Sequence, residues 1–271
     1  MFPPVNSTLY KKNKDMKKII ILLILVTAFS SCIKKGSDLN LKNYFKNYNS
    51  CFVLYNLQTD ITKRYNNNQC EVQLTPCSTF LIANALIGLE TGILKKPTQT
   101  LKWDRTKYPI KTWNRNLTLK EAIAASDEPK FKEIAKKIGS KRMKEYLNKF
   151  SYGNKDITGG ISKFWLGSTL KISANEQVKF LRKVLLDKKI LSKNNLNVMQ
   201  DILEVKKTCN GILYGKTGTE EGLVLGWFVG FFKTNNGKTY IFATNIKAKN
   251  NASGQVAKEI TINILKDQKI I

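Results

Sequence analysis

Leu213-Tyr214-Gly215-Lys216-Thr217-Gly218-Thr219 stands just past Gly211, where the residue pattern of the chain changes from helical to strand-like. Downstream, residues 222–232 and 238–245 read as two further strands around Asn235-Asn236-Gly237, whose Asn-Gly pair suits a hairpin turn. An amphipathic helix over about 255–265 closes the chain. Upstream, residues 52–55 and 61–65 read as strands joined around Thr59-Asp60, and 82–89 as a buried helix following Ser78. The middle section is mostly helical: 118–125, 129–138 stopped by Gly139, and 143–150. Ser173-Ala174-Asn175-Glu176 opens another helix through Leu186, since the serine can cap a backbone N–H while the glutamate reaches back. Strands, a helical insertion, strands and a terminal helix imply an α+β fold in which both ends of the chain build one antiparallel sheet. The functional site is then expected between that sheet and a mostly helical lobe.

The chain has 271 residues, 42% of them hydrophobic, enough for one large core rather than a string of modules. Its 46 Lys+Arg against 20 Asp+Glu give a formal charge of +26, which invites a nucleic-acid reading. The lysines are spread along the whole chain, however, with no arginine-rich arm and no finger, homeodomain or RNA-binding signature, so a solvated lysine surface is expected and no nucleic-acid partner. Lys17-Lys18 followed by an apolar run over 19–29 and then Ser30-Ser31-Cys32 reads as an export signal, with Met16 an alternative start to Met1. Cys32 after two serines resembles a bacterial lipoprotein box, which implies a lipid anchor on a periplasm-facing membrane; simple signal cleavage into the periplasm is the alternative. The expected layout is an N-terminal extension and signal peptide over 1–31, a short linker and lead-in helix over 32–50, and a single domain over 51–271.

Cys51, Cys70, Cys77 and Cys209 follow in no paired Cys-x-x-Cys pattern, and the chain has no histidine, so neither a metal nor a cofactor is expected. Export permits a disulfide, and the hairpin over 52–65 would bring Cys51 near the chain just before Cys70. A Cys51–Cys70 bond is favoured over free buried thiols, although spacing does not fix connectivity.

Pro76-Cys77-Ser78-Thr79-Phe80-Leu81 has the outline of a Ser-x-x-Lys nucleophile motif with Leu81 in the lysine position, and Lys216-Thr217-Gly218 matches the Lys-Thr-Gly motif that accompanies it. Between and beyond them stand 85–92 (Ala-Leu-Ile-Gly-Leu-Glu-Thr-Gly), Tyr152-Gly153-Asn154, Phe164-Trp165-Leu166, Leu170-Lys171-Ile172-Ser173 and Gly226-Trp227-Phe228-Val229-Gly230. This ordered set resembles the class D, OXA-type serine β-lactamases and the related penicillin-sensing domains of membrane receptors, over nearly the whole mature sequence. The resemblance implies a serine β-lactamase/penicillin-binding transpeptidase-like fold, with penicillin-type β-lactams, and a peptidoglycan-like fragment as a second candidate, for ligands. It implies that Ser78 attacks the β-lactam carbonyl, with the N–H groups of Ser78 and Thr219 as oxyanion hole. It further implies that Ser126 relays a proton to the leaving nitrogen, that Lys216 supplies positive charge, and that Thr217 and Gly218 lie along the substrate. Trp165 and Leu166 correspond to residues shielding the family's lysine. Read as plain sequence, Ser126 is equally a helix cap before Asp127-Glu128-Pro129, and Trp165 with Leu166 an ordinary core pair.

Three departures bear on turnover. Leu81 lies one turn after Ser78, on the same helical face, where the family carries a carbamylated lysine that acts as general base. Glu128 replaces an apolar residue, usually valine; it is either a substitute base or a helix N-terminal glutamate facing solvent. Ala257 falls where an arginine would hold the substrate carboxylate, leaving Lys258 or Lys247 to compensate without its bidentate fork. Activity by resemblance is therefore β-lactam hydrolysis with impaired turnover. A penicillin-binding or sensing lipoprotein is the alternative.

Overall fold

The computed structural model describes residues 38–271; the export signal and Cys32 lie outside them. Gly36–Ile271 forms one compact unit, in which Lys42–Phe45 makes a single 3-10 turn ahead of the first strand. β1 (Asn49–Asn56) and β2 (Ile61–Tyr65) form the expected hairpin, followed by the short α1 (Asn67–Glu71) and α2 (Phe80–Glu90). A small two-stranded ribbon, β3 (Thr100–Leu101) with β4 (Leu117–Thr118), precedes α3 (Leu119–Ala124), α4 (Glu128–Ile138) and α5 (Ser140–Phe150). Residues 151–172 contain no regular element. α6 (Ala174–Leu186), α7 (Lys193–Leu203), β5 (Glu204–Thr208), β6 (Gly211–Thr219), β7 (Leu225–Thr234), β8 (Thr239–Lys247) and α8 (Gly254–Asp267) complete the chain.

The six main strands run antiparallel in the order β2-β1-β8-β7-β6-β5, so the N-terminal hairpin joins the C-terminal strands at β1–β8. Both faces are covered, and period-2 alternation sorts the side chains between them. Phe52, Leu54, Phe228, Phe232, Phe242 and Ile246 pack with Ala257, Ile264 and Leu265 of α8 and with Leu41 and Phe45. Val53, Tyr55, Trp227, Val229, Phe231, Ile241 and Ala243 belong to the larger cluster that contains α2 and the helical lobe. α2 sits at its centre: from Phe80 to Leu89 every residue is buried, which is why this stretch is apolar all round rather than amphipathic.

Local signals held where side chains close their own hydrogen bonds. Ser173 accepts from Glu176 N while the Glu176 carboxylate accepts from Ser173 N, and Thr118 with Glu121 forms a second capping box. Gly139, at φ 78°, ends α4. The strand expected from residue 222 begins at Leu225 instead, because Gly222 takes φ 77° in a 3-10 turn. α7, capped by Ser192, and β5 had not been anticipated. Cys51 and Cys70 are disulfide-bonded as expected; Cys77 is free and buried, Cys209 free and exposed.

Candidate active site

Ser78 lies in the 3-10 turn Cys77–Thr79 that leads into α2. Cys77 adopts φ 49°, a left-handed conformation that costs a non-glycine residue about 1 kcal/mol. The turn is held from three sides. Thr79 N and Oγ1 donate to Pro76 O (3.1 and 2.6 Å), Gln177 of α6 donates to Thr79 Oγ1 (3.0 Å), and Trp227 Nε1 of β7 donates to Thr75 O (2.9 Å). Thr75 Oγ1 in turn donates to Trp165 O (3.1 Å). Ser78 is half-buried between the buried Cys77 and Thr79. Burial, and secondarily the charge of Glu220, pushes the Cys77 thiol up to about 12, so its neutral form persists.

β6 runs directly against this turn, and Gly218 marks the contact. A Cβ there would lie 2.9 Å from Pro76 O and 3.1 Å from Thr79 N, so the glycine is what lets strand and turn backbones meet. Lys216 and Gly218 share one strand face, which places the lysine side chain on the same side as the Ser78 turn. Thr219 is exposed, and its Oγ1 accepts from Gly254 N at the start of α8 (2.9 Å).

Lys216 is 4% exposed, and its Nζ donates to Ser126 Oγ (2.5 Å) and to Thr217 O (3.0 Å). Burial first, and then repulsion from Lys258, brings its pKa from 10.5 down to about 7. Ser126 adopts φ 50° in the link between α3 and α4. That link is fastened by Trp113 Nε1 donating to Ala125 O (3.1 Å) and by Asp127 N donating to Ala122 O (2.9 Å). The cap of α4 is Asp127, whose carboxylate accepts from Lys130 N (3.1 Å) and pairs with Lys130 Nζ (2.8 Å), both side chains being buried. The helix-cap reading of Ser126 is thereby removed, and its hydroxyl stays with Lys216. This buried ion pair had been missed; the i, i+3 spacing of Asp127 and Lys130 was its one visible signal.

The other flank of Ser78 is apolar. Leu81 is 1% exposed in the cluster that also holds Trp165, with Leu166 half-buried against it. Trp165 is fully buried and its Nε1 has no hydrogen-bond partner among the described residues. Glu128 is half-exposed and pairs with Lys132 Nζ (2.5 Å) along α4. It rims a cleft of about 470 Å³ lined also by Cys77, Leu166, Gly167, Thr219 and Glu220. Ala257 is buried on the opposite face of the sheet. Its neighbour Lys258 instead lines a 210 Å³ cavity with Lys216 and Thr217, so of the two lysines considered it is the one facing the site. Tyr152-Gly153-Asn154 is a clasp: Asn154 bonds Lys171 N, Lys171 O and Thr169 O, and a Cβ on Gly153 would strike Lys171 O at 2.0 Å.

An antiparallel sheet flanked by helices, with a serine at the start of the buried central helix and a Lys-Thr-Gly strand against it, defines the class of serine acyl-enzymes and penicillin-binding domains. The family model of the penicillin binding protein transpeptidase domain matches residues 37–266, and the chain belongs to that family. The "Probable beta-lactamase YbxI" of Bacillus subtilis is 39% identical over 270 residues, covering 94% of this chain and 99% of that protein. A crystal structure of a class D β-lactamase from Bacillus subtilis superposes with TM-score 0.80 at 40% identity, covering 86% of this chain and 97% of the other. The C-terminal domain of the Bacillus licheniformis BlaR penicillin receptor superposes with TM-score 0.82 at 30% identity, covering 88% and 98%. The chain is thus class D β-lactamase-like, a hydrolase by family, with penicillin-sensor domains among its relatives.

Proposed function

We propose that this protein binds penicillin-type β-lactams and is acylated by them on Ser78, with turnover slowed by the loss of a base at position 81. The observation that carries the reading is the Ser78 turn seated on β6 beside a continuous Lys216–Ser126 hydrogen bond. Attack by Ser78 Oγ on the strained carbonyl builds negative charge on the carbonyl oxygen, which the Ser78 and Thr219 N–H groups would stabilise. Ser126 would deliver a proton to the ring nitrogen as the C–N bond breaks. Lys258 and Thr217 line the cavity suited to the substrate carboxylate.

Removing a general base costs about 10²–10⁴-fold, while oxyanion stabilisation and binding persist. Deacylation suffers more than acylation, because water must be activated beside the apolar Leu81 wall. Intact-protein mass spectrometry after mixing with benzylpenicillin tests this: one adduct per chain that decays slowly, maps to Ser78 and disappears in Ser78→Ala. An adduct surviving Ser78→Ala, or none in the wild type, overturns it.

Leu81 and the likeness to a penicillin receptor favour a second reading, a binding or sensing protein that holds its acyl group without turnover, with a peptidoglycan-like fragment as another ligand. Persistence of the adduct over hours, with no hydrolysed penicillin released, selects it. The Ser30-Ser31-Cys32 sequence supports a lipid anchor on Cys32 and residence on a periplasm-facing membrane. Soluble mature protein beginning at another residue, with no lipid mass, excludes the anchor.

A further inference from the structure

A serine nucleophile must lose its proton to something, and the groups able to take it here are few. The chain has no histidine. Position 81 is leucine, buried and without a titratable atom. The Asp127 carboxylate is engaged by Lys130, and that of Glu128 by Lys132. What remain beside the Ser78 turn are Glu220, which lines the outer cleft with Cys77, and Lys216, on the face of β6 where Gly218 touches Pro76 and Thr79. Of the two, Lys216 is the one whose side chain already holds a hydroxyl, with Nζ on Ser126 Oγ. We propose that Lys216, acting through the Ser126 hydroxyl, is the terminal base that deprotonates Ser78, so that the proton relay of this protein runs to β6 instead of to α2. The inference rests on acylation of Ser78 as the reaction.

The surroundings of Lys216 keep its amine available. Among the described residues no carboxylate lies within ion-pair distance of it. From α8, Lys258 presents a like charge. At the start of β5, Glu204 faces the same cavity but is shared with Lys207 (3.9 Å). From α3 only Ile123 and Ala124 line it, from β7 only Phe228, and the nearby Cys77 thiol is neutral. An ordinary lysine is unprotonated in only about 0.03% of molecules at pH 7; with a pKa of about 7 the free amine of Lys216 is a major species there.

The step balances within the chain. Neutral Lys216 takes the Ser126 hydroxyl proton, and Ser126 takes the Ser78 hydroxyl proton as Ser78 Oγ bonds to the carbonyl carbon. When the ring C–N bond breaks, its electron pair stays on nitrogen, which receives a proton from Ser126. Ser126 is reprotonated by the Lys216 ammonium, and both end as they began.

The test uses a small fluorophosphonate, which labels an activated serine without needing β-lactam recognition, alongside benzylpenicillin. On the wild type, Ser78 labelling should rise with pH to a plateau with its midpoint near 7. Lys216→Arg, which keeps the positive charge and cannot give up its proton at these pH values, should label 10²–10⁴-fold more slowly and lose that midpoint. Ser126→Ala should fall comparably. Lys258→Ala, relieved of the repulsion, should shift the midpoint upward. Competitive acetylation of wild-type lysines with peptide mapping reads the Lys216 titration directly, without any variant. Titration near 10.5, an unchanged rate and profile in Lys216→Arg, or no Ser78 labelling between pH 6 and 10 in the wild type overturns the assignment. If fluorophosphonate results are as expected and benzylpenicillin leaves no adduct, the β-lactam reading fails while the base assignment stands.

Discussion

The two flanks of Ser78 differ in kind. On the β6 flank, ionisable and hydroxyl groups form a connected chain: Lys258 beside Lys216, Lys216 on Ser126, and the Ser126 link clamped by the buried Asp127–Lys130 pair. On the α2 flank, Leu81, Trp165 and Leu166 form an apolar wall with one orphaned donor, Trp165 Nε1. A single residue separates a flank that can exchange protons from one that cannot. The scaffold tolerates the exchange because leucine fills the interior volume that a lysine stem would occupy, without a charge to desolvate.

The sharpest way to break this contrast is to restore the missing group. Leu81→Lys places an amine where burial favours its neutral form, the form carbon dioxide carbamylates, and should raise benzylpenicillin hydrolysis about 10²–10⁴-fold in a bicarbonate-dependent way. The measurement is initial rate with and without added bicarbonate, in Leu81→Lys alone and combined with Glu128→Val. No gain in either variant, with rapid hydrolysis already present in the wild type, would show that the α2 flank is not the defect.

On the β6 flank, Asp127→Ala leaves Lys130 buried without its counterion and should destabilise the fold by about 3–5 kcal/mol, read from urea denaturation. It should also slow Ser78 acylation, because the Ser126 link loses its clamp. Lys216→Met works in the opposite sense, since a buried amine with depressed proton affinity costs stability. Below pH 7 the lysine is charged in both states and the full penalty is present. Between about 7 and 10.5 the unfolded chain binds the extra proton, so wild-type stability rises with pH; above 10.5 the penalty is gone. Lys216→Met should therefore gain roughly 2 kcal/mol at pH 7, after allowing for its lost hydrogen bonds, and the difference should shrink toward pH 10. A difference that does not change with pH would show that Lys216 is not the titrating group.

The smallest effect belongs to Glu128. Its pair with Lys132 is partly exposed, so Glu128→Gln should change stability by less than about 0.5 kcal/mol and leave the pH profile of Ser78 labelling in place. A large loss of labelling would move the base from β6 to the rim of the cleft.

Much of this molecule was legible in its sequence because the signals were local. The Ser173–Glu176 capping box, the Gly139 stop and the 52–65 hairpin depend on neighbours a few residues apart, and their hydrogen bonds close within the same segment. The ordered motifs likewise marked Ser78, Ser126 and Lys216 as a set, and the missing lysine at Leu81 was visible by itself. α7 escaped notice although its signals are local, with Ser192 as cap and Leu196, Met199 and Leu203 at helical spacing; β5 is defined by its pairing with β6 rather than by a local period. What only the tertiary structure decided was electrostatic and steric. Ser126 could have been a cap until Asp127 was found capping α4, and the pairing of Glu128 with Lys132 on the rim of the cleft is visible only in the fold. The proton affinity of Lys216 depends on burial and on Lys258, 42 residues further along the chain. Desolvation and through-space repulsion arise only when distant segments pack, and no spacing along the chain encodes them.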